Sequence, residues 1–347
     1  MDDGVTPSAL LYQTLKGRTL KRAPCICPGG MMNMLTTEMM ERCSSTWPQA
    51  HVDARAMARL AAFPFENHLF DNVGVPFCMT VEAEAMGAKV DLGDLHTEPR
   101  VSGYAIGSVE ERGSLPAMDL ASGRSKVVLD AIRLLADAYA DAAIVGNLTG
   151  PISTSSSVVD ANIFYRELRK KKEAAHALVD FVTDQLVAFG RAQIEAGAEF
   201  IAISDPSGTG EILGPRLFEE YALPALNRIC CELKPLCKGV IVHICGQLHS
   251  IYPQLRMLEC DAVSVDAIVN VRELRKNVPG KAIMGNVSTF ALANGKESLI
   301  RSLCRSSLEG GVDILAPACG LGTTSSVESI ALMMKCAEEA AGEKFDA

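Results

Sequence analysis

Gly239-Val240-Ile241-Val242-His243-Ile244 (GVIVHI) is a short apolar run, rich in Val and Ile, that leads directly into Cys245-Gly246. A run of that length bounded by polar and glycine residues reads as a strand buried on both faces. Five others share its character: Ala142 to Gly146 (AAIVG), Glu199 to Ser204 (EFIAIS), Ala262 to Val265 (AVSV), Lys281 to Gly285 (KAIMG) and Val312 to Ala316 (VDILA). Longer stretches with helical character separate them: Arg124 to Tyr139, Arg166 to Ala196, Pro215 to Glu232, Leu248 to Leu258, Lys296 to Glu309 and Ser326 to Ala341. Repeated strand–helix units imply parallel strands joined by right-handed crossovers. The expected class is α/β, a (β/α)8 TIM barrel with N-terminal helical elaboration. An open doubly wound sheet is the rival architecture, but its usual Gly-rich dinucleotide turn is absent from the sequence.

The N-terminal third is less regular. Leu10 to Leu15 and Ala56 to Ala62 read as helices, and Arg22 to Cys27 (RAPCIC) as a first strand. Val73 to Val81 carries a proline and fits neither period, and Gly107 to Pro116 reads as a loop. The simplest organisation is one domain over 1–347. In it, about 1–70 form an N-terminal extension with the first strand, and 71–347 form the rest of the barrel. At 347 residues the chain exceeds the roughly 250 typical of such a barrel, a difference that insertions commonly make.

The net charge of −9 argues against nucleic acid as a partner, since phosphate binding needs a basic surface. No run approaches the roughly 18 apolar residues of a membrane span, and the acidic opening Met1 to Gly4 does not resemble a secretory signal. The expected compartment is the reducing cytoplasm, where twelve cysteines mean thiols, metal ligands or core packing rather than bridges.

Polar or metal-capable residues end nearly every expected strand: Asn147, Asp205, His243 with Cys245, Asp266, Asn286 and Cys319. In a parallel barrel these ends meet at one mouth, where barrel active sites lie. For Asp205 and Asn286, helix capping after a strand explains the residue equally well. His243 and Cys245 are two apart, so on a strand they point to the same side. An imidazole nitrogen and a thiolate sulfur suit zinc, and Cys319 can supply a third ligand, leaving an open position for chemistry. Asp266 can fill that position when substrate is absent. A His-x-Cys tripeptide arises by chance in roughly one chain in five of this composition, and free cysteine also packs well in cores. Cys25-Ile26-Cys27 is a second such pair, either a rival site or packing. Zinc-bound thiols lose their proton while staying nucleophilic, so an open His/Cys/Cys site suits alkyl transfer to a thiol. With Asp266 as base it would also allow hydrolysis. The run Arg166 to Glu173 (RELRKKKE) reads as a solvated helix start or a docking patch for an acidic partner, and Ser153 to Ser157 (STSSS) as a polar loop after a strand. The methionines Met31, Met32, Met34, Met39 and Met40 read as core filler or as the lining of an apolar pocket.

His243-Ile244-Cys245-Gly246, the stretch Ser204 to Pro215 (SDPSGTGEILGP), Asp313 to Gly320 (DILAPACG) and Pro76 to Gly87 (PFCMTVEAEAMG) resemble the methylcobamide:coenzyme M methyltransferases of the uroporphyrinogen decarboxylase superfamily. The resemblance runs from about Gly17 to Ala337 and implies a (β/α)8 barrel with zinc at its mouth on His243, Cys245 and Cys319. It implies that Asp266 stands where similar members carry a Glu that completes the coordination. It further implies transfer of methyl from a methyl-corrinoid, carried by a small corrinoid protein, to coenzyme M. Tetrahydrofolate is an alternative acceptor, thought to serve bacterial relatives. A non-catalytic corrinoid-protein partner and a decarboxylase are further alternatives. After Arg22-Ala23-Pro24 the decarboxylases carry an arginine, whereas Cys25 to Leu35 (CICPGGMMNML) holds none. An anionic macrocycle would be poorly held without it. The segment Pro28 to Asn33 departs from the coenzyme M enzymes. Acceptor choice is expected there, with Met32, Asn33, Asn147, Asp205 and Asn286 as substrate-binding residues.

Overall fold

The computed structural model describes residues 4–343; the acidic residues 1–3 lie outside the described residues. The strands are β1 (Asn72–Val75), β2 (Lys89–Asp91), β3 (Arg100–Gly103), β4 (Ala143–Thr149), β5 (Phe200–Ser204), β6 (Gly239–Ile244), β7 (Ala262–Val265), β8 (Ala282–Val287) and β9 (Ile314–Pro317). Seven of them form one parallel sheet in the order β1-β4-β5-β6-β7-β8-β9. Every residue of β4, β5, β6, β7 and β9 is buried, as the Val/Ile-rich runs require of strands covered on both faces. The six runs read from sequence all become strands of this sheet, and β6 and β7 keep the limits read for them.

Seven strands, rather than eight, make up the sheet. The expected first strand over Arg22 to Cys27 provides a single bridge, between Cys25 and Leu315 of β9. Pro24 and Pro28 bracket it, and neither carries an N–H, so the ladder cannot extend. The segment nevertheless meets both edges of the sheet. On one side Leu315 N donates to Pro24 O and Ile26 N to Leu315 O. On the other, Asp71 N donates to Cys25 O, while the Asn72 side chain accepts from Cys27 N at 2.9 Å and donates to Cys27 O at 2.8 Å. The Asp71 carboxylate accepts from Cys25 N at 2.7 Å and takes the Arg22 guanidinium at 2.8 and 2.9 Å. Gly74 lets β1 lie against this segment: a Cβ there would sit 1.9 Å from Pro28 O. Val73 to Val75, ambiguous in sequence, thus belongs to an edge strand.

The helices pack outside the sheet. Gly123–Ala138, Glu297–Gly310 and Val327–Glu343 fall where sequence placed them, and the expected Arg166 to Ala196 divides into Ala161–Lys170 and Lys172–Glu195. Ser153 to Ser157 is not a loop. It lies in the helix Pro151–Val158, which starts on a favourable first-turn proline and receives Asp205 as a cap from the end of β5. The methionines Met32, Met34, Met39 and Met40 are fully buried, which agrees with the core reading. β2 and β3 form an antiparallel hairpin outside the main sheet. Among the described residues, no helix is long and apolar enough to cross a membrane.

Candidate metal centre

Parallel strands carry their C-terminal ends to one side of the sheet, and the candidate ligands lie there. His243 is the fifth residue of β6, Cys245 follows its last residue, and Cys319 lies two residues beyond β9. Their ligating atoms all lie within 4.8 Å of one another. His243 Nε2 is 3.1 Å from Cys245 Sγ, and Cys245 Sγ is 3.8 Å from Cys319 Sγ. The register of β6 against β7 places Ser264 beside His243. Its hydroxyl meets Nδ1 at 2.9 Å, which fixes the ring and leaves Nε2 for the cluster. Met32 Sδ accepts from the same hydroxyl at 3.5 Å. Met32 therefore buttresses the ring from the second layer.

Both cysteine turns are close to backbone. Gly246 adopts φ +76°, and a Cβ there would lie 2.3 Å from Glu211 Oε2, which accepts from Gln247 N. A Cβ on Gly320 would lie 2.6 Å from Met31 O. The PACG turn is thus seated on the Met31–Asn33 segment, where Leu321 N also donates to Asn33 O.

Cys245 and Cys319 share a proton. Cys319 is held down to about 4, chiefly by the hydrogen bond from Cys245 and further by its neighbour His243, against the opposing effect of burial. Cys245 is pushed far up by the same bond to Cys319 and by burial. The pair therefore carries one negative charge more readily than two, which suits it to a cation.

The other residues expected here have different surroundings. The Asp266 carboxylate accepts from Gly246 N at 3.4 Å and Ile268 N at 3.1 Å and stands outside the group of three ligating atoms. Asn286 donates to Asp266 O and Val269 O, both at 3.0 Å, and accepts from Ser307 Oγ, so it ties the turn after β7 to β8. Asn147 donates to Pro28 O at 2.7 Å and to Val75 O at 3.1 Å, while its own Oδ1 is buried without a partner. Asp205, fully buried, accepts from Ile152 N, Ser153 N and Ser153 Oγ, so it caps the helix that follows β4 and not one that follows its own strand. Asn33 folds onto the backbone of Leu35 through both side-chain atoms. Of the rival pair, Cys25 lies in the seam, whereas Cys27 donates to Met32 O at 3.2 Å.

Two residues missing from the sequence reading belong here. Ser264 was available from strand register alone. Glu98, from the turn between β2 and β3, interacts with Asn33. Its carboxyl is pushed up to about 7, chiefly by burial and then by the charge of Cys319. Nothing in the periodicity of residues 92–99 links that excursion to the mouth.

The uroporphyrinogen decarboxylase (URO-D) family model matches residues 6–340. The methylcobamide:CoM methyltransferase MtbA of Methanosarcina acetivorans is 32% identical over 335 residues, covering 96% of this chain and 98% of that protein. The methylcobamide:CoM methyltransferase MtaA of Methanosarcina barkeri is 28% identical over 333 residues, covering 95% and 96%. Among solved structures, a methyltransferase from Methanosarcina mazei superimposes with a TM-score of 0.90 at 28% identity, over 99% of this chain and 100% of that one. The chain therefore belongs to the uroporphyrinogen decarboxylase (URO-D) family and, within it, groups with the methylcobamide:CoM methyltransferases.

Proposed function

We propose that this protein transfers a methyl group from a methyl-corrinoid, borne on a separate small corrinoid protein, to the thiol of coenzyme M at a zinc site in the mouth of a closed barrel. In this reading the segment Pro24 to Cys27 is the barrel's eighth stave. The observation that carries the proposal is the convergence of one imidazole nitrogen and two sulfurs within 4.8 Å at the ends of β6 and β9. That donor set suits a three-ligand zinc site with a position left for substrate. Bound there, zinc supplies the positive charge that strips the acceptor thiol of its proton while its sulfur stays nucleophilic.

The chain's own residues set up that chemistry. Cys245 and Cys319 give up their shared proton when a cation binds, and Ser264 holds the His243 ring for Nε2 ligation. Glu98 places a carboxyl at this mouth, beside Asn33, that burial makes easier to protonate than an exposed one. In the transfer, a carbon–sulfur bond forms as the cobalt–carbon bond breaks. The electron pair stays on the corrinoid, and the thiol proton is released. Asp266, engaged by two backbone amides, is free to turn toward the metal as a further ligand only by giving up those bonds. Tetrahydrofolate gains no support from the relatives, which are methylcobamide:CoM methyltransferases.

Mixing the zinc-loaded protein with methylcobalamin and 2-mercaptoethanesulfonate tests the reading. The methyl–cobalt absorbance is expected to decay only when protein and thiol are both present. Decay with tetrahydrofolate alone, or no decay with either acceptor, would contradict it; the second result would point to a non-catalytic partner of the corrinoid protein.

A further inference from the structure

The turn that follows Cys245 is held by acidic side chains from the loops on either side of it. The Asp266 carboxylate, just beyond β7, accepts from Gly246 N at 3.4 Å. The Glu211 carboxylate, from the loop after β5, accepts from Gln247 N at 3.0 Å. Two successive amides beyond the cysteine are thus taken by two different loops. The Asp266 contact is the longer, and it is lost if that side chain turns toward a metal. Glu211 then still holds the turn.

Glu211 is delivered by a loop that closes on itself and on the chain beyond Cys245. Thr209, buried, accepts from Ile212 N through its hydroxyl at 3.1 Å and from Leu213 N through its carbonyl. Gly214 N donates to Gly210 O. Gly210 packs on the short turn His249–Ile251, where a Cβ would stand 2.6 Å from Ser250 Oγ and 3.0 Å from Ile251 Cγ2. The stretch Ser204 to Pro215, which the transfer chemistry leaves unused, thereby fixes the path of residues 246–251. Glu211 itself is exposed, so removing its carboxylate opens no cavity in the core.

We propose that Glu211 is a positioning residue for the metal ligand Cys245: its carboxylate pins the turn after β6, so that the sulfur keeps its place beside His243 and Cys319 whichever way Asp266 faces. The inference rests on the zinc reading given above. Groups that orient a metal ligand typically contribute about 10–100-fold in metal affinity or activity. A charge-assisted bond to a backbone amide is strong for its kind, but solvent reaches this one, which places its effect at the lower end of that range.

The test measures zinc affinity of the parent, Glu211→Ala and Glu211→Gln proteins by competition with a chromophoric chelator. Hydrogen exchange at the Gln247 amide is followed on the same proteins without metal. Glu211→Ala should bind zinc about tenfold more weakly and exchange Gln247 faster, while its urea midpoint stays close to the parent's. Glu211→Gln keeps an oxygen able to accept from Gln247 N and should restore most of both. A parent that takes up no zinc would end the zinc reading and the ligand role with it. A parent that binds zinc beside a Glu211→Ala protein of equal affinity would overturn the positioning role alone. So would unchanged Gln247 exchange in Glu211→Ala, or a Glu211→Gln protein no better than Glu211→Ala.

Discussion

His243→Ala is expected to strip the protein of tightly bound zinc and to lower methyl transfer to coenzyme M by on the order of 1,000-fold or more. Losing an outer partner of a metal-ligating histidine typically costs roughly 10–100-fold in affinity or activity, and loss of the ligand itself must cost more. Ser264→Ala supplies the comparison. It keeps all three ligands but frees Nδ1, whose contact with the serine hydroxyl is 2.9 Å, and should fall between parent and His243→Ala. Zinc content by elemental analysis and rate by loss of methyl–cobalt absorbance are the readouts. A His243→Ala protein that retains zinc and full rate would remove the imidazole from the mechanism.

Gly74→Ala is expected to destabilise the fold by on the order of 3 kcal/mol or more. The added methyl would stand 1.9 Å from Pro28 O and 2.8 Å from Pro28 C. Both atoms are backbone, so no side-chain rotation relieves the clash, and β1 must part from the segment before it. That movement breaks the paired bonds between Asn72 and Cys27 and strains the Asp71 carboxylate on Cys25 N and Arg22. Gly103→Ala is the matched control. There the new methyl's nearest neighbours are atoms of the flexible Lys89 side chain, at 3.3 Å, and the effect should stay within about 0.5 kcal/mol. Urea midpoints measure both. A Gly74→Ala protein as stable as the parent would show that the seam does not bind the sheet edges as argued.

The sheet was readable where strands are buried on both faces, because Val and Ile then run without interruption, as in β6 and β7. It was unreadable at the seam. β1 is NVGV, short and interrupted by a glycine that close approach demands, and the segment before it is flanked by Pro24 and Pro28. Ser153 to Ser157 reads as a loop because the carboxylate that caps its helix, Asp205, comes from about fifty residues further along the chain. The three-residue cluster was readable because strand ends converge whatever their distance in sequence. The roles of Asn147 and Asp205 were not. Each stands near the end of a strand, yet one stitches the seam and the other caps a helix, and only the positions of Pro28 and Ile152 decide that. Glu98 reached the mouth through a hairpin that no periodicity announced.

Zinc K-edge X-ray absorption on the purified, zinc-loaded protein addresses the metal centre most directly. One nitrogen scatterer at about 2.0–2.1 Å and two sulfurs at about 2.3 Å, in a stoichiometry of one metal per chain, is the predicted result. A spectrum with no sulfur in the coordination sphere, or a protein that takes up no zinc with all three side chains intact, would contradict it.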